Sequence, residues 1–189
     1  MAKNILCLAG SIRQDSLNRK LALTSVDLIQ EMGGQATWID LADFPMPLYN
    51  GDLEKNKGLP AEAARLQQLL LAHDGLMLAS PEYNGFFTPL LKNTIDWLSR
   101  PNPDLPDQPR VFNHLVAGLT ATSAGKLGGL RGLIPLRTLL SGIGTTVIAT
   151  QLAIPDAMEK FDSDRLIDQA SRDQLSNVIS AVLACHVNE

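Results

Sequence analysis

Short unbroken apolar runs alternate along this chain with longer stretches in which apolar residues return every three or four positions. Asn4 to Ala9 is the first run, brief and aliphatic, as a strand buried on both faces requires. From Ser16 onward Leu17, Leu21, Leu28 and Met32 fall on one helical face, and Gly33-Gly34 supplies the stop. Ala36 to Leu41 reads as a second strand. The next helix opens at about Pro60, where proline suits the first turn, and it aligns Leu66, Leu69, Leu70 and His73. Gly75 to Ser80 is the third strand. Thr88-Pro89 then reads as an N-cap with proline at the first helical position, opening a helix that turns Leu91, Ile95 and Leu98 toward a core.

The second half repeats the rhythm. Phe112 to Leu119 reads as a fourth strand, Leu130 to Ser141 as a helix aligning Leu133, Leu136 and Leu140, and Thr145 to Ala149 as a fifth strand. A last helix spans about Ser163 to His186, with Leu175, Val178, Ile179, Val182 and Leu183 inward. Strands alternating with helices imply right-handed crossovers, hence a doubly wound α/β sandwich: a five-stranded parallel sheet with helices on both faces. Two stretches break the pattern. Phe44 to Leu59 is long for a connection and reads as a lid, an interface loop or a surface excursion. Pro101 to Pro109 holds four prolines and reads as an extended, stiff connector.

Length and composition narrow the class. At 189 residues the chain makes one domain, residues 1–189, large enough to bury a core without disulfide or metal staples. With 45% apolar and 19% charged residues it is neither disordered nor fibrous. Lys plus Arg total 16 against 20 Asp plus Glu, so there is no excess positive charge for a nucleic-acid backbone. Cys7 and Cys185 stand near opposite ends, and His73, His114 and His186 are equally scattered, so no metal site is expected and two ordinary thiols fit a reducing cytoplasm. Arg13 and Asp15 end the first apolar run at about half the length of an export signal. No stretch approaches the ~20 apolar residues of a membrane span, so no membrane partner is expected.

In an open parallel sheet, ligands sit beyond the carboxyl ends of the strands where the strand order reverses. Three loops are placed there. The first, Gly10-Ser11-Ile12-Arg13-Gln14-Asp15-Ser16-Leu17-Asn18, runs directly into a helix. Its main-chain N–H groups, the Ser11 and Ser16 hydroxyls, Asn18 and Arg13 suit a phosphate monoester, or equally a plain helix cap with a surface arginine. It lacks the glycine spacing of a dinucleotide fingerprint and the Gly-Lys-Ser/Thr ending of a P-loop. The second, Ser80 to Pro89, packs Pro81, Glu82, Tyr83, Asn84, Gly85, Phe86 and Phe87 into one bend. Aromatics gathered in a strand-end loop suit a flat heterocycle, or the cover of a helix end. The third, Thr120 to Gly129, is small and hydroxylated, with glycines that admit a ligand close to the backbone.

Gly10-Ser11-Ile12-Arg13-x-x-Ser16-x-Asn18, then Pro81-Glu82-Tyr83-Asn84-Gly85, then Pro89 to Ser99 with its Asn93-Thr94-Ile95-Asp96-Trp97 core, together resemble the NADPH-dependent FMN reductase family. This group of flavodoxin-like proteins includes quinone, azo-dye and chromate reductases. The resemblance covers essentially the whole chain and implies strand order 2-1-3-4-5, with FMN at the switch between strands one and three. It further implies that Ser11, Arg13, Ser16, Leu17 through its amide, and Asn18 cradle the FMN phosphate. Pro81, Glu82, Tyr83, Asn84 and Gly85 would line the isoalloxazine, with Ser123 and Gly125 on its other side.

The implied chemistry is hydride transfer from NADPH or NADH to the flavin and onward to a small-molecule electron acceptor, with the protein supplying orientation. No catalytic acid or base is named; Glu82 suits a hydrogen-bonding or subunit-contact role. Charge and neighbourhood single out Arg100, Lys126 and Arg131 for the NADPH 2′-phosphate. Family members being dimers or tetramers, a homodimer or homotetramer is expected, with the third helix and Trp97 beside the boundary. A flavodoxin-type electron carrier without its own hydride chemistry is the alternative, and its hydroxyl-rich Thr-x-Thr-Gly-x-Thr loop is missing here. A flavin-free regulatory protein on the same fold is a third.

Overall fold

The structure, a computed structural model, describes residues 2–105 and 110–187. Strand β1 (Asn4–Ala9) is apolar at every buried position, and alternation of side chains sends Leu6 and Leu8 to one face and Ile5, Cys7 and Ala9 to the other. Such a strand is stable only inside a sheet covered on both sides. It pairs in parallel with β2 (Gln35–Ile39) and β3 (Gly75–Ala79), and β3 pairs with β6 (Val116–Thr122), which pairs with β7 (Thr146–Ile154). The order is β2-β1-β3-β6-β7, which is 2-1-3-4-5 when these five strands are numbered along the chain. A separate two-stranded hairpin, β4 (Glu82–Tyr83) and β5 (Phe86–Phe87), follows β3.

Helices α1 (Leu17–Glu31) and α6 (Gln169–Ala184) cover one face, burying Leu21, Ile29, Leu175, Val178 and Ile179 against Ile5, Cys7 and Met77. On the other face α3 (Ala61–Leu71), α4 (Pro89–Leu98) and α5 (Leu130–Gly142) bury Leu66, Leu70, Leu91, Ile95, Leu133 and Leu136 against Leu6, Leu8 and Leu78. The caps read from sequence are present. Ser16 accepts from the Arg19 N–H at 3.4 Å, and Thr88 accepts from the Leu91 N–H at 3.2 Å with Pro89 at the first position. Among the described residues no helix is long and apolar enough to cross a membrane, and no group of three or more His, Cys, Asp or Glu side chains could hold a metal ion.

Several elements depart from the pattern-based expectation, each for an identifiable reason. The second strand stops at Ile39 because Asp40 caps a short 3-10 turn over Leu41–Asp43. Met32 is not on the buried face; as the C-cap of α1 it is 41% exposed. The fourth strand begins at Val116. Val111 and Phe112 are apolar because they plug the core from a turn closed by Asn113 N–H to Arg110 O at 3.0 Å. β7 runs on to Ile154 across a bulge opposite Gly118, where Arg137 donates to the carbonyls of Val147 and Ala149, each at 3.3 Å. The last helix starts at Gln169 under an Asp168 cap, because Phe161 and Leu166 first bridge antiparallel and enter the core.

The segment from Phe44 to Leu59 is a structured surface segment rather than a floppy excursion. It carries helix α2 (Gly51–Lys57) and is latched to α4: Trp97 Nε1 donates to Pro47 O at 2.8 Å, and Asn93 takes the Tyr49 N–H at 2.7 Å. Trp97 is therefore fully buried and unavailable to a second subunit. Of the proline-rich connector, residues 102–105 close a turn, Leu105 N–H to Asn102 O at 3.0 Å, in place of the extended run expected; residues 106–109 lie outside the described residues.

Candidate functional site

The loops after β1, β3 and β6 leave the same edge of the sheet from adjacent strands, and side chains bind them to one another. The Gly10 N–H donates to Ala79 O at 2.9 Å, and the Thr88 hydroxyl donates to Gly10 O at 2.7 Å, fixing the first loop against the second. Asn18 joins the first to the third. Its Nδ2 donates to Thr122 O at 2.9 Å, while Thr122 N–H donates to Asn18 Oδ1 at 3.1 Å. Both residues are buried, so the two hydrogen bonds orient the amide without ambiguity.

The first loop gathers donors. Ser11 and Ser16 are buried, and their oxygens accept from Arg13 N–H at 3.3 Å and Arg19 N–H at 3.4 Å, leaving both hydroxyl protons to be given away. The main-chain N–H groups of Leu17 and Asn18, at the start of α1, have no acceptor among the described residues. Arg13 is exposed and in no ion pair among the described residues. Asn18 keeps one side-chain N–H beyond the one it donates to Thr122 O. Unspent hydroxyls, first-turn amides and one unpaired guanidinium are the donor set that a dianionic phosphate ester requires, so the residues fit the phosphate end of FMN.

The second loop is a structured platform that pattern reading missed. Asn84 and Gly85 have φ of +54° and +82°, and they join Tyr83 to Phe86 in a two-residue hairpin turn. That backbone needs left-handed residues, which Asn-Gly supplies. The Asn-Gly pair between aromatic positions was the available signal. The hairpin leaves Tyr83 and Phe86 about half exposed at its tip while Phe87 enters the core at 4% exposure, so two of the three aromatics, not three, can face a ring. Pro81 is buried. Glu82 points away from the tip, and its carboxylate accepts from Arg131 Nε at 2.7 Å and from the Arg131 main-chain N–H at 3.1 Å.

The third loop lies flat on the end of β7. A Cβ on Gly128, φ +60°, would stand 2.5 Å from the Ile154 carbonyl carbon, so only glycine allows this approach. Ser123 Oγ accepts from Gly125 N–H at 3.3 Å, and the Ser123 N–H donates to Ile154 O at 3.2 Å. Ser123 is half-buried and Gly125 exposed, at the rim facing the first loop through Asn18 and Thr122.

The cations behave differently from one another. Arg100 is not at this edge. Helix α4, rising about 15 Å over its ten residues, carries the chain to the opposite edge, where Arg100 Nε pairs with Glu54 at 2.9 Å. Arg131 is held by Glu82, and Lys126, 88% exposed, pairs with Asp156 at 3.1 Å. A cavity of about 490 Å³ also opens at the opposite edge, lined by Gln67, Leu98, Arg100 and Phe112 among others. None of its lining belongs to the three loops.

Comparison with known proteins agrees with this geometry. The chain is 32% identical to an NADPH:quinone oxidoreductase of Arabidopsis thaliana over 95% of its own length and 90% of the relative's. It is 33% identical to an NAD(P)H-dependent FMN reductase of Pseudomonas aeruginosa, covering 94% and 92%. Among solved structures, a flavoenzyme NAD(P)H:(acceptor) oxidoreductase of Paracoccus denitrificans superposes with a TM-score of 0.80 at 26% identity, covering 96% of each chain. Residues 3–159 match the model of NADPH-dependent FMN reductases. With its sheet order, its match to the family model and these relatives, the chain belongs to the NADPH-dependent FMN reductase family, as an NAD(P)H-dependent oxidoreductase whose cofactor is FMN.

Proposed function

We propose that the chain, acting as one domain over residues 1–189, passes electrons from NAD(P)H to quinones and to other small acceptors such as free flavin, azo compounds and chromate. The observation that carries this reading is the convergence of three differently built loops at the point where the strand order reverses, cross-tied by Thr88 and Asn18. Ser11, Arg13, Ser16, the Leu17 amide and the remaining N–H of Asn18 hold the phosphate of FMN. Pro81, Tyr83, Asn84 and Gly85 line the ring system, with Glu82 behind them, and Ser123 and Gly125 close the far side. When bound, FMN supplies the two-electron chemistry, accepting hydride and giving electrons to the acceptor.

The chain's own contribution is placement. Tyr83 and Phe86 offer apolar faces against which flat donors and acceptors can stack, and the open rim admits them in turn. Glu82 is committed to Arg131 and is assigned no proton-moving role. Half-exposed Leu127 and Leu130 follow the third loop, and they support a homodimer or homotetramer, to be checked by light scattering. Two free thiols accord with a cytoplasmic location.

Anaerobic addition of NADPH to the FMN-loaded protein should bleach the flavin at once, and a quinone should restore its colour. A flavin that stays oxidised would end this reading in favour of a carrier. Steady-state rates with a quinone, free FMN, an azo dye and chromate, each with NADPH and NADH, rank the acceptors.

A further inference from the structure

We infer that Glu82 is a positioning residue: its carboxylate clamps the β4–β5 hairpin to the first turn of α5, so that the second and third loops of the crevice hold the flavin head as one rigid body. This rests on the proposed location of the flavin ring. Glu82 is only 8% exposed in its side chain, and an ionised carboxylate so placed needs several donors. Arg131 supplies all of them. Oε1 accepts from Nε at 2.7 Å and lies 2.5 Å from Nη2 in the ion pair, and Oε2 accepts from the Arg131 main-chain N–H at 3.1 Å, near the start of α5 where a negative charge is favoured.

A second contact makes the clamp close-fitting. A Cβ on Gly132 would meet Phe86 O at 3.2 Å and Glu82 Cβ at 3.4 Å, so both strands of the hairpin press on the helix backbone. Tyr83 and Asn84 directly follow the clamped residue, and their place over a ring depends on where Glu82 is held. Hydride transfer falls steeply with misplacement, roughly a hundredfold for 1 Å. The first loop is tied in separately, through Asn18 and Thr88, so head and tail of the cofactor are positioned by different contacts.

That separation gives the test. Glu82→Ala and Arg131→Ala should each weaken riboflavin and FMN by the same factor, about tenfold, and the double variant should be no weaker than either single one. Arg13→Ala should weaken FMN alone. Glu82→Gln, which keeps an acceptor for the Arg131 N–H but gives up the charge, should fall between wild type and Glu82→Ala. In the flavin-free protein, amide exchange should quicken in the hairpin of Glu82→Ala while the Thr122 amide keeps its protection. Unchanged hairpin exchange, additive losses, or a loss confined to FMN would each overturn the clamp. A wild-type protein that binds flavin but is not reduced by NADPH would sink the oxidoreductase reading and leave the clamp in place.

Discussion

Asn18 and Thr122 are 104 positions apart in the chain, yet the amide of one satisfies both main-chain groups of the other. Replacing Asn18 by Ala strands a buried N–H and C=O, which costs about 1–3 kcal/mol each. Thermal unfolding of Asn18→Ala should show a clear loss of stability, and titration with FMN a weaker affinity, because the third loop is no longer tied to α1. Arg13 makes the opposite case. Exposed, and in no ion pair among the described residues, it should leave stability unchanged when converted to Ala while FMN affinity drops by about 1.5–3 kcal/mol, the value of a hydrogen bond to a charged group. The two thiols differ as well. Burial pushes the Cys7 thiol far above its ordinary pKa, whereas Cys185 is partly accessible. A maleimide should label one cysteine per native chain, at Cys185, and both after denaturation.

The elements that the apolar pattern reads correctly are those with a local cause and enough residues to show a period. β1 is found with the expected bounds, and α4 opens at the expected Thr88-Pro89 cap, because strand burial and caps are decided by neighbours within a few positions. The hairpin escaped because two-residue strands have no periodicity to detect, and only Asn84-Gly85 marks it. Gly85→Ala should destabilise the hairpin by about 1–2 kcal/mol through its left-handed backbone alone, since nothing lies within 4 Å of the added Cβ. Loosened amide exchange in the hairpin with an intact sheet would verify it. Phe112 misled for a different reason: an apolar residue before a strand reads as strand whether it is paired or, as here, plugs a core from a turn. Likewise the latch of residues 44–59 depends on Asn93 and Trp97, some forty to fifty positions away.

Taken together, the folded chain depends on several carboxylates held ionised. Glu54 is held below the usual range by the Arg100 guanidinium that donates to it, Asp168 by the Ser171 hydroxyl and amide, and Asp162 by the amides of Asp164 and Arg165. Each pKa is lower in the fold than in the unfolded chain. Their stabilisation is therefore complete above the ordinary carboxylate values, about 4, and is lost as pH falls through the lowered folded values. Urea midpoints should hold level from neutral pH to about 5 and decline below about 4. Glu54→Gln should flatten that decline, and an unchanged slope in it would remove Glu54 from the account.

Read without its fold, the chain settles the α/β sandwich, the burial of β1 on both faces, the Thr88-Pro89 cap and the loops on which polar, aromatic and glycine residues crowd, because each is written in periodicity or in residues adjacent along the sequence. Partnership is another matter. That Asn18 answers Thr122, that Glu82 pairs with Arg131, and that Arg100 stands at the far edge beside Glu54 follow from strand order and helix length. Folding brings together groups separated by 104, 49 and 46 positions, and such contacts leave no trace in any local window.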